Sequence, residues 1–150
     1  MGTRHSRLAA ALAAAWEAEI VSAKTVTAIA ERCPEMRAKA RLLVLAAFCR
    51  AHASRLLARL SAMGRGPMPV PPERIEVDGD IHHALLEEAA AARSSAARYE
   101  DMAETARLQA DYSSAWVCEL NRAEEEDRAA ELMKLAEGQL PGADSAAVPA

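Results

Sequence analysis

Apolar residues recur every three or four positions along most of this chain, the spacing that gathers them on one face of a helix. In the first such stretch the stripe runs Leu8, Leu12, Trp16, Glu19, Ala23, Val26 and Ala30. In the second it runs Leu42, Leu45, Cys49, His52, Leu56 and Met63. Glycine and proline weaken or break helix interiors. Here glycine stands only at 2, 64, 66, 79, 138 and 142, and proline only at 34, 67, 69, 71, 72, 141 and 149. The segments they avoid, 3–33, 35–63 and 80–137, are the helical candidates. The third would be roughly 87 Å long at about 1.5 Å per residue, too long for a domain of this size. It must turn back at the polar "QADYSS" of residues 109–114, where Asp111 can cap the last helix. The pattern predicts four helices, at about 4–33, 35–63, 80–109 and 112–137, with Pro34 in the first turn of the second and Glu35 near the positive end of its dipole.

Short turns make the first two helices one antiparallel pair and the last two another. Between the pairs lies "GRGPMPVPPERIEVDG", residues 64–79. It can extend to about 50 Å at roughly 3.3 Å per residue, enough to travel the length of a bundle. We read it as a single long crossover that leaves helices two and three parallel, the alternative being a floppy linker between two helical hairpins. The small, polar, proline-punctuated tail, 138–150, is expected to be disordered.

Composition narrows the class. A chain of 150 residues, 51% hydrophobic and 27% charged, has material for one core, and with only 3% aromatic residues and abundant alanine it suits close-packed helices rather than sheets. A net charge of -4 leaves no basic field for phosphates, which argues against a nucleic-acid partner. No apolar run, Leu8 to Trp16 and Leu42 to Cys49 included, approaches the roughly 20 residues that span a bilayer, so no membrane partner is expected. The early "LAAALAAAW" resembles a short secretory signal, but the helical pattern continues through Trp16 and Glu17 without a break. Cys33, Cys49 and Cys118 are an odd, widely spaced set with no C-x-x-C. They read as free thiols in a reducing cytoplasm, with Cys49 a buried and inert one.

Two positions on the inward stripes carry chemistry. His52 is either a satisfied core histidine or a metal ligand. Glu19, in the middle of its stripe, must be paired, metal-bound or rotated outward, since Ile20 and Val21 compete for the inward face. His82 and His83 are adjacent, so they diverge around a helix and read as a solvated helix start. Glu124 to Asp127 reads as an exposed acidic face, paired locally with Arg122 and Arg128.

These residues resemble the ferritin-like superfamily, rubrerythrin-type branch. "RAEEEDRAAELMKLAEG" is similar to the family's "LAEDE-x-x-HAELLEEL" segment, "AARYEDMAETA" to the segment carrying its third-helix tyrosine, and "LAAFCRAHASRLLARL" to the repeated pattern in helix two. The resemblance spans about 8–137 and implies an all-α, ferritin-like four-helix bundle with one long crossover. Such bundles hold two metals between a Glu from each of two helices and a Glu-x-x-His from each of the other two. Here only part of that set is matched. Glu19 matches the first-helix glutamate, His52 the second-helix histidine and Glu126 the fourth-helix glutamate. Cys49 stands at the second-helix glutamate, Ala92 at the third and Ala129 at the fourth-helix histidine, while Glu88 falls one turn early.

The resemblance therefore implies a bundle that has lost the full di-iron centre. Such a protein binds at most one Fe, Mn or Zn ion, through Glu19, His52 and Glu126, or acts as a non-catalytic interaction module, and no residue is assigned to catalysis. The alternative is a divergent di-iron oxidoreductase acting on peroxide or oxygen. Alanine-rich faces and the self-association common in such proteins imply a dimer.

Overall fold

The structure, a computed structural model, describes residues 2–65, 68 and 74–138, with the side chains of 2–6 left aside. Four helices make it up: α1 Gly2–Arg32, α2 Met36–Ala62, α3 Ile81–Leu108 and α4 Tyr112–Ala136, and there is no strand among the described residues. The tail expected to be disordered lies, beyond Gly138, outside the described residues, as do 66, 67 and 69–73 of the expected crossover.

The helix ends follow from local chemistry. Glu35 caps α2, its carboxylate accepting from the Arg37 and Ala38 amides, which leaves Pro34 just outside the helix instead of in its first turn. Asp111 caps α4 by accepting from the Ser114 amide, as expected. At the end of α2 the Arg65 amide reaches back to Leu60 O and the Gly64 amide to Ser61 O, a closure that needs a left-handed residue, supplied by Gly64 at φ +75°. The same closure ends α3, where Asp111 N bonds Ala106 O and Ala110 takes φ +58°. That turn folds the long 80–137 stretch back on itself.

Each helix buries one stripe. α1 packs on α2 and α3, α4 packs on the same two, and neither α1 and α4 nor α2 and α3 touch along their backbones, so the four stand at the corners of a square. The core divides into two apolar clusters. One joins Leu8 and Leu12 of α1, Leu56 and Leu60 of α2, Tyr99 and Ala106 of α3 and Ala115 and Cys118 of α4. The other joins Val26 and Ile29 of α1, Leu42 and Leu45 of α2, Ala84 and Leu85 of α3 and Leu132 and Leu135 of α4. Each fully buried leucine contributes about 1.5–3 kcal/mol relative to exposure. Met63 and Met68 pack on the first cluster, Val77 and Ile81 on the second, and Arg32 donates to Val77 O and Gly79 O. No helix among the described residues is long and apolar enough to cross a membrane.

Cys49 and Cys118 are buried and Cys33 half-buried, all as free thiols. Burial pushes the Cys49 thiol up and holds Cys118 at about 12. In native protein a maleimide should label Cys33 well ahead of the other two, which peptide mass mapping would read; fast labelling of Cys49 would contradict its stripe.

Candidate metal centre

Between the two apolar clusters the inward positions turn polar. α1 contributes Glu19 and Ser22, α2 contributes His52, α3 contributes Glu88, and α4 contributes Asn121, Glu125 and Arg128, all buried. Isolated buried charges are expensive, so this layer is stable only if its members satisfy one another or a ligand.

Glu19 is 2% exposed, and Ile20 and Val21 are left half-buried, so the inward face goes to the carboxylate. Tyr99 of α3 donates its hydroxyl to Glu19 Oε1 at 2.8 Å. The other oxygen, Oε2, lies 3.2 Å from His52 Nδ1, which also lies 3.1 Å from Glu125 Oε1. One ligand atom each from Glu19, His52 and Glu125 falls within 4.8 Å of the others. Three helices thus converge on one point.

Glu125, rather than Glu126, is the fourth-helix member. Glu126 is exposed and pairs with Arg122 at 3.1 Å. One residue is about 100° of helix rotation, so the two glutamates cannot share a face. Position 125 is seven residues from both Cys118 and Leu132, each fully buried, and that spacing is a signal the sequence contains. The expectation of an exposed acidic run holds for Glu126 and Asp127, while Glu125 is buried and Glu124 half-buried. Arg128, read as a local surface partner, is 1% exposed and bonds Glu125 Oε2 through Nε at 2.9 Å and Glu88 Oε2 through Nη1 at 3.2 Å. Glu88 lies eleven residues, three helical turns, before Tyr99 and so shares its face. His82 and His83 stay exposed, as expected.

Around the back of His52 a second set of contacts fixes the ring. Its Nε2 is buried with no hydrogen bond, and Glu124 Oε2 lies 3.5 Å away. Arg55 Nη1 holds Glu124 at 2.7 Å and Asn121 Oδ1 at 3.0 Å, while Asn121 Nδ2 donates to the His52 carbonyl at 3.4 Å.

The electrostatics follow from this geometry. Burial pushes Glu19 up to about 7, opposed by its bond to His52 and reinforced by the neighbouring Glu125. Burial acts on Glu125 in the same direction, but bonds from His52 and Glu19 and the charge of Arg128 outweigh it and hold that carboxylate at about 2. Burial disfavours charge on His52, yet its bonds to Glu125 and Glu19 raise it to about 9. Burial also raises Glu88, against the opposing pull of Arg128. Without metal, the neutral-pH centre has ionised Glu125 between protonated His52 and Arg128, with a proton on Glu19 lost through pH 7.

A pH dependence follows with defined sign. His52 stabilises fully below its ordinary 6.5, and that contribution is lost as pH rises through about 9; Glu19 likewise loses its contribution between 4.5 and about 7. Glu125 contributes above 4.5 and loses this as pH falls toward about 2. The melting temperature of metal-free protein should therefore fall from pH 6 to 9 and again below pH 4.5. A flat or rising profile from 6 to 9 in thermal melts would contradict the pairing.

No family model matches the chain, and no match is found among curated proteins or solved structures. Two cavities of about 630 and 590 Å³ open on the bundle, one beside Lys24, Arg50 and Arg74, the other between Leu8 and Met102, and neither is lined by Glu19, His52 or Glu125.

Proposed function

We propose that this protein is a ferritin-like bundle that holds a single Fe, Mn or Zn ion between Glu19, His52 and Glu125. The observation that carries this reading is the convergence of two carboxylates and one imidazole from three helices, at ligand-atom separations of 3.1 and 3.2 Å from His52 Nδ1. Metal–ligand bonds of about 2.0–2.2 Å put neighbouring ligand atoms of a tetrahedral ion about 3.3–3.6 Å apart, slightly wider than that spacing. The remainder of the centre also fits a metal. A ligating histidine ordinarily gives its second ring N–H to a carboxylate, and the otherwise unbonded His52 Nε2 faces Glu124 at 3.5 Å. Tyr99 would orient Glu19 by its bond to Oε1, leaving Oε2 for the ion. Two carboxylates and a neutral imidazole balance a divalent charge.

Bound there, the ion would supply a structural cross-link between α1, α2 and α4. Enclosure of the ligands, none more than 2% exposed, supports a binding role over turnover, since a catalytic ion needs an open position. The alternative of a divergent di-iron oxidoreductase has less support, because Glu19, His52 and Glu125 form the one Glu/His cluster of this compactness among the described residues.

The crossover is part of the same reading. Met63 belongs with the first apolar cluster and Ile81 with the second, which supports a crossover between opposite ends of the bundle and a parallel α2 and α3, the arrangement of ferritin-like folds. Leu43, Val44, Phe48 and Leu57 on the solvent side of α2 support self-association as a dimer. The unpaired thiols suit a cytoplasmic setting.

The test compares two neighbouring variants. Glu125→Gln should weaken binding of Mn²⁺ or Zn²⁺ by at least about 100-fold, more than the loss of an outer-shell partner, and Glu126→Gln should leave it unchanged in calorimetric titration. Equal effects, or a loss confined to Glu126→Gln, would overturn the assignment.

A further inference from the structure

Glu125 divides its two oxygens between His52 and Arg128. Oε1 faces His52 Nδ1 at 3.1 Å, and Oε2 accepts from Nε of Arg128 at 2.9 Å, with Nη2 within ion-pair distance at 2.8 Å but without a hydrogen bond. Arg128 also draws in Glu88 through Nη1 at 3.2 Å, so one guanidinium, 1% exposed, bridges carboxylates of α3 and α4 deep in the bundle. Bridging two buried carboxylates from different helices is a task that a metal ion performs elsewhere. Arg128 performs it with a charge that is fixed, since a guanidinium stays protonated in proteins.

We propose that Arg128 is a built-in cation occupying a second cation position next to the metal site, and that it restricts the centre to one ion. This rests on the single-ion reading for the first position. Three features of the surroundings carry it. The carboxylate shared between the two positions belongs to Glu125, which faces both with separate oxygens, as a bridging ligand does. The far carboxylate, Glu88, is supplied by α3, the one helix that gives no ligand to the first site. Arg128 is also among the largest fully buried side chains, so its removal vacates room for an ion and its ligands. While it is present, a second divalent ion would meet a fixed positive charge and find both Oε2 atoms already engaged.

Position 128 lies three residues after Glu125, on the same helix face. An imidazole introduced there by Arg128→His would stand next to Glu125 and opposite Glu88, exchanging the fixed cation for a ligand. The experiment counts ions per chain after saturation with Zn²⁺ and removal of excess, for the unaltered protein, Arg128→His and Arg128→Lys. Arg128→His is purified with Zn²⁺ present, so that ion binding can offset the lost cation. Arg128→Asn, which is neutral and also able to ligate, is measured alongside in case the histidine variant does not fold. We expect one more ion per chain in Arg128→His than in the unaltered protein, and no increase in Arg128→Lys, which keeps the charge.

The increment tests the role of Arg128, and the unaltered protein's own count tests the single-ion reading, so the two can fail separately. No increment in either neutral variant overturns the proposal even if the unaltered protein binds one ion. Two ions per chain in the unaltered protein also overturn it. An increment on a baseline of zero rejects the site at Glu19, His52 and Glu125 and, with it, the restriction to one ion.

Discussion

Arg128→Met should destabilise the metal-free protein by about 3–5 kcal/mol, the usual consequence of removing one partner from a buried ion pair and leaving the other uncompensated. Two carboxylates lose their partner at once, since Glu125 and Glu88 both bond this guanidinium. Methionine fills much of the volume, so the effect is mainly electrostatic. For a chain of this length that corresponds to a fall of roughly 10–20 °C in melting temperature. Adding Glu88→Gln should recover part of the loss, because a neutral group is cheaper to bury than an unpaired carboxylate. Chemical denaturation of the two variants at pH 7 would measure both effects. A loss below about 1 kcal/mol would mean that Arg128 leaves its buried position in solution.

His52→Ala should abolish metal binding at the centre, lowering affinity by at least about 100-fold, because it removes one of three ligands and the only nitrogen among them. The same change costs the metal-free protein stability, since Nδ1 is the group that both Glu19 and Glu125 bond and the vacated ring leaves a cavity. The two effects separate in one titration. If the residue served only the core, melting temperature would fall and metal affinity would not change, since no ion would be bound by either protein. With a metal site, the unaltered protein gains melting temperature on adding Zn²⁺ or Mn²⁺ and the variant does not.

Most of the helical framework was legible in the sequence, because glycine and proline mark ends by steric rules that tertiary packing seldom overrides. The turn at 109–114 was visible from its polar run and its capping aspartate, although the left-handed residue there is Ala110, which gives no sequence signal of its own. Pro34 stands before the cap, two positions short of the first helical residue Met36, since the side chain of Glu35 takes the cap. The centre was half legible. Glu19 and His52 interrupt otherwise apolar stripes and so announce themselves. Glu125 did not, because the buried face of α4 is mixed, with Ser114, Asn121, Glu125 and Arg128 interrupting its apolar members. With no apolar stripe to fix the register, alignment to a glutamate-rich motif fell on Glu126, one position and about 100° away. The seven-residue spacing from Cys118 to Glu125 to Leu132 holds the missing information, but it is readable only if a charged residue is accepted as a core position. Glu88 and Arg128 escaped for the same reason. Each looks like a surface charge alone, and each is buried because the other is there.

The proposed function stands or falls with one ion at the meeting point of Glu19, His52 and Glu125. Its most direct test is the metal content of the full chain, purified without a chelating tag and then equilibrated with Fe²⁺, Mn²⁺ or Zn²⁺ above pH 7, where Glu19 is free of its proton. Elemental analysis after removal of excess metal should give one ion per chain, lost in His52→Ala. No retained ion with any of the three metals, or an ion retained equally by His52→Ala, would rule out the site.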